Sequence, residues 1–346
     1  MMRCLELAAK GSGRVAPNPM VGAVLVHDGR IMGSGFHQKY GEAHAEVNAI
    51  DNCSVDPSKC TLYVNLEPCS HHGKTPPCAE LIIRKGIRHV VIGQEDPNPL
   101  VAGRGIAMLR EAGIEVQCGV AGEQAEWLNR RFNTYHRLGR PYVLLKWAQS
   151  ADGYMDLDRE EGGPRRPNWI SHPASKKLVH KWRAEEGAVL VGAATLLHDD
   201  PKLTVRAYGH RPIHRVILSQ RGKLPAAARM LGQTDAITVL SNSPLPAPGW
   251  QDKQRVNWVS LLEGGEGTSF LAAALKALHD LGLSSLLVEG GARTLQAFIA
   301  EGLWDEARIL QSNQSFSSGL KAPELHMRES RRYRYGSDLI STYFKP

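Results

Sequence analysis

The sequence predicts two α/β domains in tandem, each a β-sheet flanked by helices, and three observations carry that reading. At 346 residues the chain is longer than one hydrophobic core ordinarily serves. Apolar runs of strand length alternate with segments of helical period through both halves. Gly139-Arg140-Pro141 breaks the alternation between them and divides the chain into 1–140 and 141–346.

In the first half a helix is expected over 2–10, where Met2, Leu5, Ala8 and Ala9 share a face. Strands over 21–26 and 31–36 meet across His27-Asp28-Gly29-Arg30, and Asp-Gly between two apolar runs marks a hairpin. A helix around 43–51, a strand over 61–66, a helix over 78–85 ended by Gly86 and a strand over 88–93 follow. Strand, helix, strand implies parallel pairing. A helix over 105–112, a strand over 114–119 and one long helix over 123–138 complete the unit.

The second half restarts with a strand over 142–147 and then a Gly/Pro/Arg-rich loop, 159–168, which reads as a ligand flap or a tolerated insertion. Strands are expected over 188–191, 214–218, 236–240, 256–260, 285–288 and 307–311. Helices are expected over 174–186, 269–281 and 292–301. No repeat relates the two halves, so they read as different domains.

Apolar residues at 42 % and charged residues at 22 % are those of a folded globular chain. No apolar stretch approaches the roughly 20 residues that span a bilayer, and no secretory pattern opens the chain, so no membrane partner and a cytoplasmic location are expected. The formal charge of +7 suits an anionic ligand. Its Lys and Arg are scattered among acids without an aromatic-interleaved stripe, which argues against nucleic acid and leaves phosphorylated small molecules. Six cysteines in so long a chain fit metal binding better than a disulfide framework.

His44-Ala45-Glu46, Pro68-Cys69 and Cys78 form the most informative constellation. One imidazole and two thiolates leave a fourth position open, as in catalytic zinc sites, whereas a structural site wants four protein ligands. Glu46, two residues past the ligand His44, is placed to shuttle a proton as general acid and base, the division of labour of a zinc-dependent hydrolytic deaminase. Any one of these residues alone would read as ordinary helix polarity or a buried thiol; together they do not. Cys4, Cys53, Cys60 and Cys118 lack such company and read as packing residues.

Leu66-Glu67-Pro68-Cys69-Ser70-His71-His72-Gly73-Lys74-Thr75-Pro76-Pro77-Cys78 resembles the bifunctional deaminase–reductase family of riboflavin biosynthesis, and the likeness runs over nearly the whole chain. The long inter-cysteine loop sets it apart from the Pro-Cys-x-x-Cys of nucleoside and tRNA deaminases. The resemblance implies a cytidine-deaminase-like α/β/α domain followed by a dihydrofolate-reductase-like α/β domain, with Zn2+ and NADPH as cofactors and a homo-oligomeric state. It implies deamination of a phosphorylated diaminopyrimidinone and then reduction of its ribosyl group to ribityl.

By similarity at matching positions, Asn18, His37, His71 and Lys74 would hold substrate at the deaminase site. Arg183, Leu203, Arg206 and Glu289 would hold it at the reductase site. Gln149, Trp169, Thr195, Asp199, Ser219 and the run Gly291, Ala292, Arg293, Thr294 would contact the cofactor. Val288-Glu289-Gly290-Gly291 before a helix is the one local signal in this half, because two glycines let backbone approach a phosphate at a helix N-terminus. Asp96-Pro97-Asn98-Pro99 also matches the family, or reads as helix-start punctuation.

All departures from the family lie in the second half: Gln149 where a small residue is expected, Leu218 where an Asp usually ends the strand, Pro167 before Asn168-Trp169, a longer and more basic loop over 159–168, and an atypical segment after Trp304-Asp305-Glu306. They leave open an alternative in which only the deaminase is active and the second domain binds a nucleotide or mediates assembly. A nucleic-acid-binding protein with a structural zinc is the reading from another class, prompted by the charge alone.

Overall fold

A computed structural model describes residues 1–71, 76–99, 101–158, 167–209, 211–251, 253–261 and 268–345. The chain forms two compact units, Met1–Arg140 and Pro141–Pro346.

The first unit runs α1 (Met2–Ala9), β1 (Gly22–His27), β2 (Arg30–Phe36), α2 (Ala45–Asp51), β3 (Thr61–Leu66), α3 (Cys78–Arg84), β4 (His89–Gln94), α4 (Arg104–Glu111), β5 (Glu115–Cys118), α5 (Gly122–Leu128) and α6 (Arg130–Leu138). Its sheet has the order β2-β1-β3-β4-β5. The hairpin side is antiparallel, and β3, β4 and β5 run parallel. Leu25, Leu62, Val64, Ile82, Ile92 and Leu109 are buried between sheet and helices. Gly35 decides how closely α2 approaches: a Cβ there would lie 2.5 Å from Ala49 N. A bare backbone on β2 thus draws α2, and with it His44, onto the sheet.

The long helix expected over 123–138 is two helices, broken at Asn129 (φ −94°, ψ 19°). The cause is tertiary. Asn129 Oδ1 accepts from Met20 N at 2.9 Å, and its Nδ2 donates to Met20 O at 3.0 Å, so the side chain pins the loop before β1. The helix expected to open at Ala43 starts at Ala45, leaving His44 as its extended N-cap residue.

The second unit runs β6 (Tyr142–Gln149), β7 (Tyr154–Asp156), α7 (Pro173–Glu186), β8 (Ala188–Gly192), α8 (Ala193–Asp199), β9 (His214–Leu218), β10 (Ile237–Ser241), β11 (Val256–Ser260), α9 (Phe270–Asp280), β12 (Ser285–Val288), α10 (Ala292–Ala300), β13 (Glu306–Gln311), β14 (Leu320–Lys321), β15 (Arg331–Tyr335) and β16 (Asp338–Phe344). Nine strands form one sheet, β11-β10-β9-β8-β12-β6-β13-β16-β15, and β7 and β14 pair separately.

Seven neighbouring strands of the large sheet are parallel, and β16 and β15 close it antiparallel. The central strands are apolar on both faces: Val143 and Leu145 of β6 face one core and Leu144 another. That explains runs without alternation. Helix α8, the small β7/β14 sheet and the β15/β16 hairpin were not expected. β15 is the outermost strand, reads Arg331-Arg332-Tyr333-Arg334-Tyr335 and is mostly exposed, so it lacks the apolar alternation that marks a strand.

Candidate functional sites

In the first unit, three secondary-structure ends bring the metal-ligand candidates together. His44 caps α2, Cys69 follows β3 after Pro68, and Cys78 is the first residue of α3. Cys78 N donates to Cys69 Sγ at 3.3 Å and Ala79 N to Cys69 O at 3.1 Å, which closes the inter-cysteine loop on the start of α3. His44 Nδ1 lies 3.3 Å from Cys78 Sγ and 3.5 Å from Cys69 Sγ, and the three atoms fall within 4.8 Å of one another.

Tetrahedral zinc with Zn–S of about 2.3 Å and Zn–N of about 2.0–2.1 Å would set sulfur and nitrogen about 3.6 Å apart. The donor set and spacing therefore fit the ion. Hydrogen bonding from Cys78, reinforced by His44, holds the Cys69 thiol down to about 4, and the Cys78 thiol, as donor to Cys69, is pushed well up. The hydrogen bond with Cys69 raises His44.

Glu46 stands in the first turn of α2 and is 3 % exposed. Burial, followed by the negative charge of Cys69, raises its carboxyl to about 7. A carboxyl that ionises near neutrality beside the ligand cluster can both accept and return a proton.

The sequence reading missed Glu67. This buried carboxylate directly follows β3 and accepts four backbone N–H bonds: Oε2 from Asp96 (3.1 Å) and Gly103 (3.0 Å), Oε1 from Gly105 (2.8 Å) and Ile106 (3.1 Å). It fastens the start of α4 beneath Pro68-Cys69. Asp96 is nearly buried, its Oδ1 accepts from Asn98 N at 2.8 Å, and burial raises its carboxyl to about 6. The only signal for Glu67 was a charged residue at the end of an apolar strand.

In the second unit, β6, β8, β9 and β12 point the same way, so the segments after them gather at the carboxyl end of the sheet, where open α/β sheets bind ligands. Gly290 and Gly291 are joined by a cis peptide, and Gly192 N donates to Gly290 O at 2.8 Å. A Cβ on Gly192 would meet Thr294 Oγ1 at 2.4 Å, and one on Gly291 would lie 3.1 Å from Thr195 Oγ1. The turns after β8 and β12 thus meet backbone to backbone and leave two threonine hydroxyls beside bare glycine. Arg183 of α7 donates Nε and Nη2 to the two oxygens of Glu289 (2.5 and 2.8 Å), and its Nη1 to Thr204 O at 2.9 Å. Lys146 Nζ stands 3.8 Å from Glu289 Oε2.

Comparison with known proteins decides the family. A family described as RibD C-terminal domain matches residues 141–313, and one described as cytidine and deoxycytidylate deaminase zinc-binding region matches residues 1–94. The riboflavin biosynthesis protein RibD of Aquifex aeolicus is 40 % identical over 356 residues, covering 100 % of this chain and 97 % of that protein. The chain belongs to the RibD family. RibD of Acinetobacter baumannii superposes with a TM-score of 0.87 at 33 % identity, covering 99 % of this chain and 97 % of that one. A Thermotoga maritima structure described as a diaminohydroxyphosphoribosylaminopyrimidine deaminase/5-amino-6-(5-phosphoribosylamino)uracil reductase superposes at 0.84 with 37 % identity, covering 99 % and 96 %. Like other RibD proteins, this chain joins a zinc-binding deaminase domain to a reductase domain.

The RibD frame brings the remaining expected residues to different settings. His37 is buried, its Nε2 3.2 Å from Asn18 Nδ2 and its Nδ1 3.1 Å from Ala43 O; His71 is exposed. Lys74 and most of the 159–168 loop lie outside the described residues. Leu203 has a positive φ of 49° and buries its side chain in the core. Arg206 is exposed, with Nη1 3.1 Å from Thr204 Oγ1. Trp169 is exposed beneath Lys176 Nζ, 3.8 Å from the ring centroid. Gln149 Oε1 accepts from Trp147 Nε1 at 2.8 Å. Ser219 is buried and donates to Lys223 O at 3.3 Å. Asp199 ends α8; Ala292 opens α10, and the next residue, Arg293, is exposed. No helix among the described residues is long and apolar enough to cross a membrane.

Proposed function

We propose that residues 1–140 deaminate 2,5-diamino-6-(5-phosphoribosylamino)pyrimidin-4(3H)-one and that residues 141–346 reduce the ribosyl group of the product to ribityl with NADPH. The observation that supports this most is the convergence of His44, Cys69 and Cys78 beside the buried Glu46. His44, Cys69 and Cys78 would hold zinc, which would make a water acidic enough to give up a proton near neutral pH. Glu46 would take that proton and pass it to the ring nitrogen as the water oxygen adds to the amine-bearing carbon, then carry the second proton, from the added hydroxyl, to the departing amine, so the C–N bond breaks, ammonia leaves and a carbonyl remains. Asn18, His71 and Lys74 meet the substrate.

At the reductase site, Glu289 is held ionised: burial pushes its carboxyl up, but Arg183 and Lys146 outweigh that and bring it down to about 2. Arg183 therefore acts through Glu289, and Arg206 is the arginine left to meet the phosphate. Gly291, Ala292, Arg293 and Thr294, with Thr195, Asp199, Ser219, Trp169 and Gln149, would line the place of NADPH, which would supply the hydride, and the backbone amides after β12 would bind phosphate. The enzyme works in the cytoplasm as a homo-oligomer, without nucleic acid. Ammonia release and NADPH oxidation followed together in zinc-loaded protein test the reading: both should proceed, and ammonia without NADPH consumption removes the reductase half.

A further inference from the structure

The polar contacts of the His37 ring are all made within the protein. Its ring is 2 % exposed. Nδ1 lies 3.1 Å from Ala43 O, and a carbonyl oxygen only accepts, so Nδ1 carries the proton. Nε2 lies 3.2 Å from Asn18 Nδ2, and an amide nitrogen only donates, so Nε2 presents its lone pair. Both ring nitrogens are engaged by protein groups, and neither is left to touch a substrate.

The same two contacts fix Asn18. Its Nδ2 is committed to His37, and no donor among the described residues is bonded to Oδ1. Turning the amide round would set the Oδ1 lone pairs against that of Nε2. The backbone is fixed as well, by Asn18 N donating to Val15 O at 2.9 Å. His37 is tied to the metal-ligand cluster: its acceptor Ala43 precedes His44, and the His37 and His44 rings meet edge to face with centroids 5.5 Å apart.

We propose that His37 is a positioning residue whose Nδ1–H tautomer sets the Asn18 amide so that Oδ1 accepts from a donor group, an amine or ring N–H, on the pyrimidine. This rests on the reading of Asn18 as a substrate contact. The site then selects pyrimidines that carry a donor at that place and disfavours those with an acceptor there, because an oxygen facing an oxygen loses a hydrogen bond and repels.

Two measurements on the full-length zinc-loaded protein test this. The first is long-range ¹H–¹⁵N correlation of the His37 ring in the unmodified protein. A protonated Nδ1 with a bare Nε2 is expected, and the opposite tautomer or a doubly protonated ring overturns the proposal. The second is kinetic. His37→Phe should raise KM for ammonia release about 10- to 100-fold with kcat nearly unchanged, as when binding common to ground and transition states is removed. Adding Asn18→Asp should bring KM back down, because a carboxylate offers an oxygen either way round. A His37→Phe protein with unaltered KM, or a double variant no better than the single one, overturns the inference while the deaminase reading stands. Failure of the unmodified protein to release ammonia sinks both.

Discussion

Glu67 Oε1 accepts a 2.8 Å hydrogen bond from Gly105 N, and Gly105 in turn leaves no room for a side chain, since a Cβ there would lie 2.0 Å from Pro68 O. The residue before ligand Cys69 and the first turn of α4 therefore share one close backbone contact. Gly105→Ala should force α4 away from Pro68 and destabilise the first unit by about 1–3 kcal/mol, the scale of overpacking. Calorimetric melting checks this; an unchanged first-unit transition would show that the contact is slack.

Glu46→Gln keeps the size of the side chain and removes its proton affinity. The variant should hold one zinc per chain and release ammonia about 10²- to 10⁴-fold more slowly, the usual contribution of a general acid–base group. Metal analysis beside the ammonia assay separates this from Cys69→Ser, which should lose the ion.

The Arg183–Glu289 pair is buried, with side chains 12 % and 9 % exposed. Arg183→Gln would leave Glu289 with Lys146 as its remaining ion partner among the described residues. Removing one member of a buried pair typically costs about 3–5 kcal/mol. The second unit should melt earlier and NADPH oxidation should fall; a melt matching the unmodified protein would mean that water already solvates the carboxylate.

His180 gives the second unit an acid-side weakness. Burial, with Arg183 and Arg206 nearby, lowers its ring to about 4 from an ordinary 6.5, and Nδ1 has no hydrogen-bond partner among the described residues. As pH falls below about 6.5 the unfolded ring takes up a proton that the folded ring resists, so stability declines through this window and levels off below about 4. Denaturant melts across this range should show His180→Phe with a shallower decline; parallel curves would assign the acid sensitivity to other groups.

The zinc cluster was legible because its residues are chemically rare and their spacing survives any error in helix boundaries. The glycines after β12 were legible for a similar reason: few residues permit so close a backbone approach. Glu67 was not, since its four donors come from residues 96–106, brought near only by the β3–β4 pairing. The break at Asn129 was hidden likewise, because helical periodicity continues through it and its cause is Met20, far away in sequence. In the second half, resemblance named Arg183 as a substrate ligand, and only the fold revealed Glu289 as its partner.

The outermost strand carries a consequence for handling the protein. A second molecule approaching β15 edge to edge in antiparallel register centred on Tyr333 would set Arg332 of each copy against Arg334 of the other, and like charges directly opposite oppose pairing. The β15 edge of the sheet thus resists pairing with its own copy, and concentrated solutions should become more prone to association through this edge as salt screens those charges.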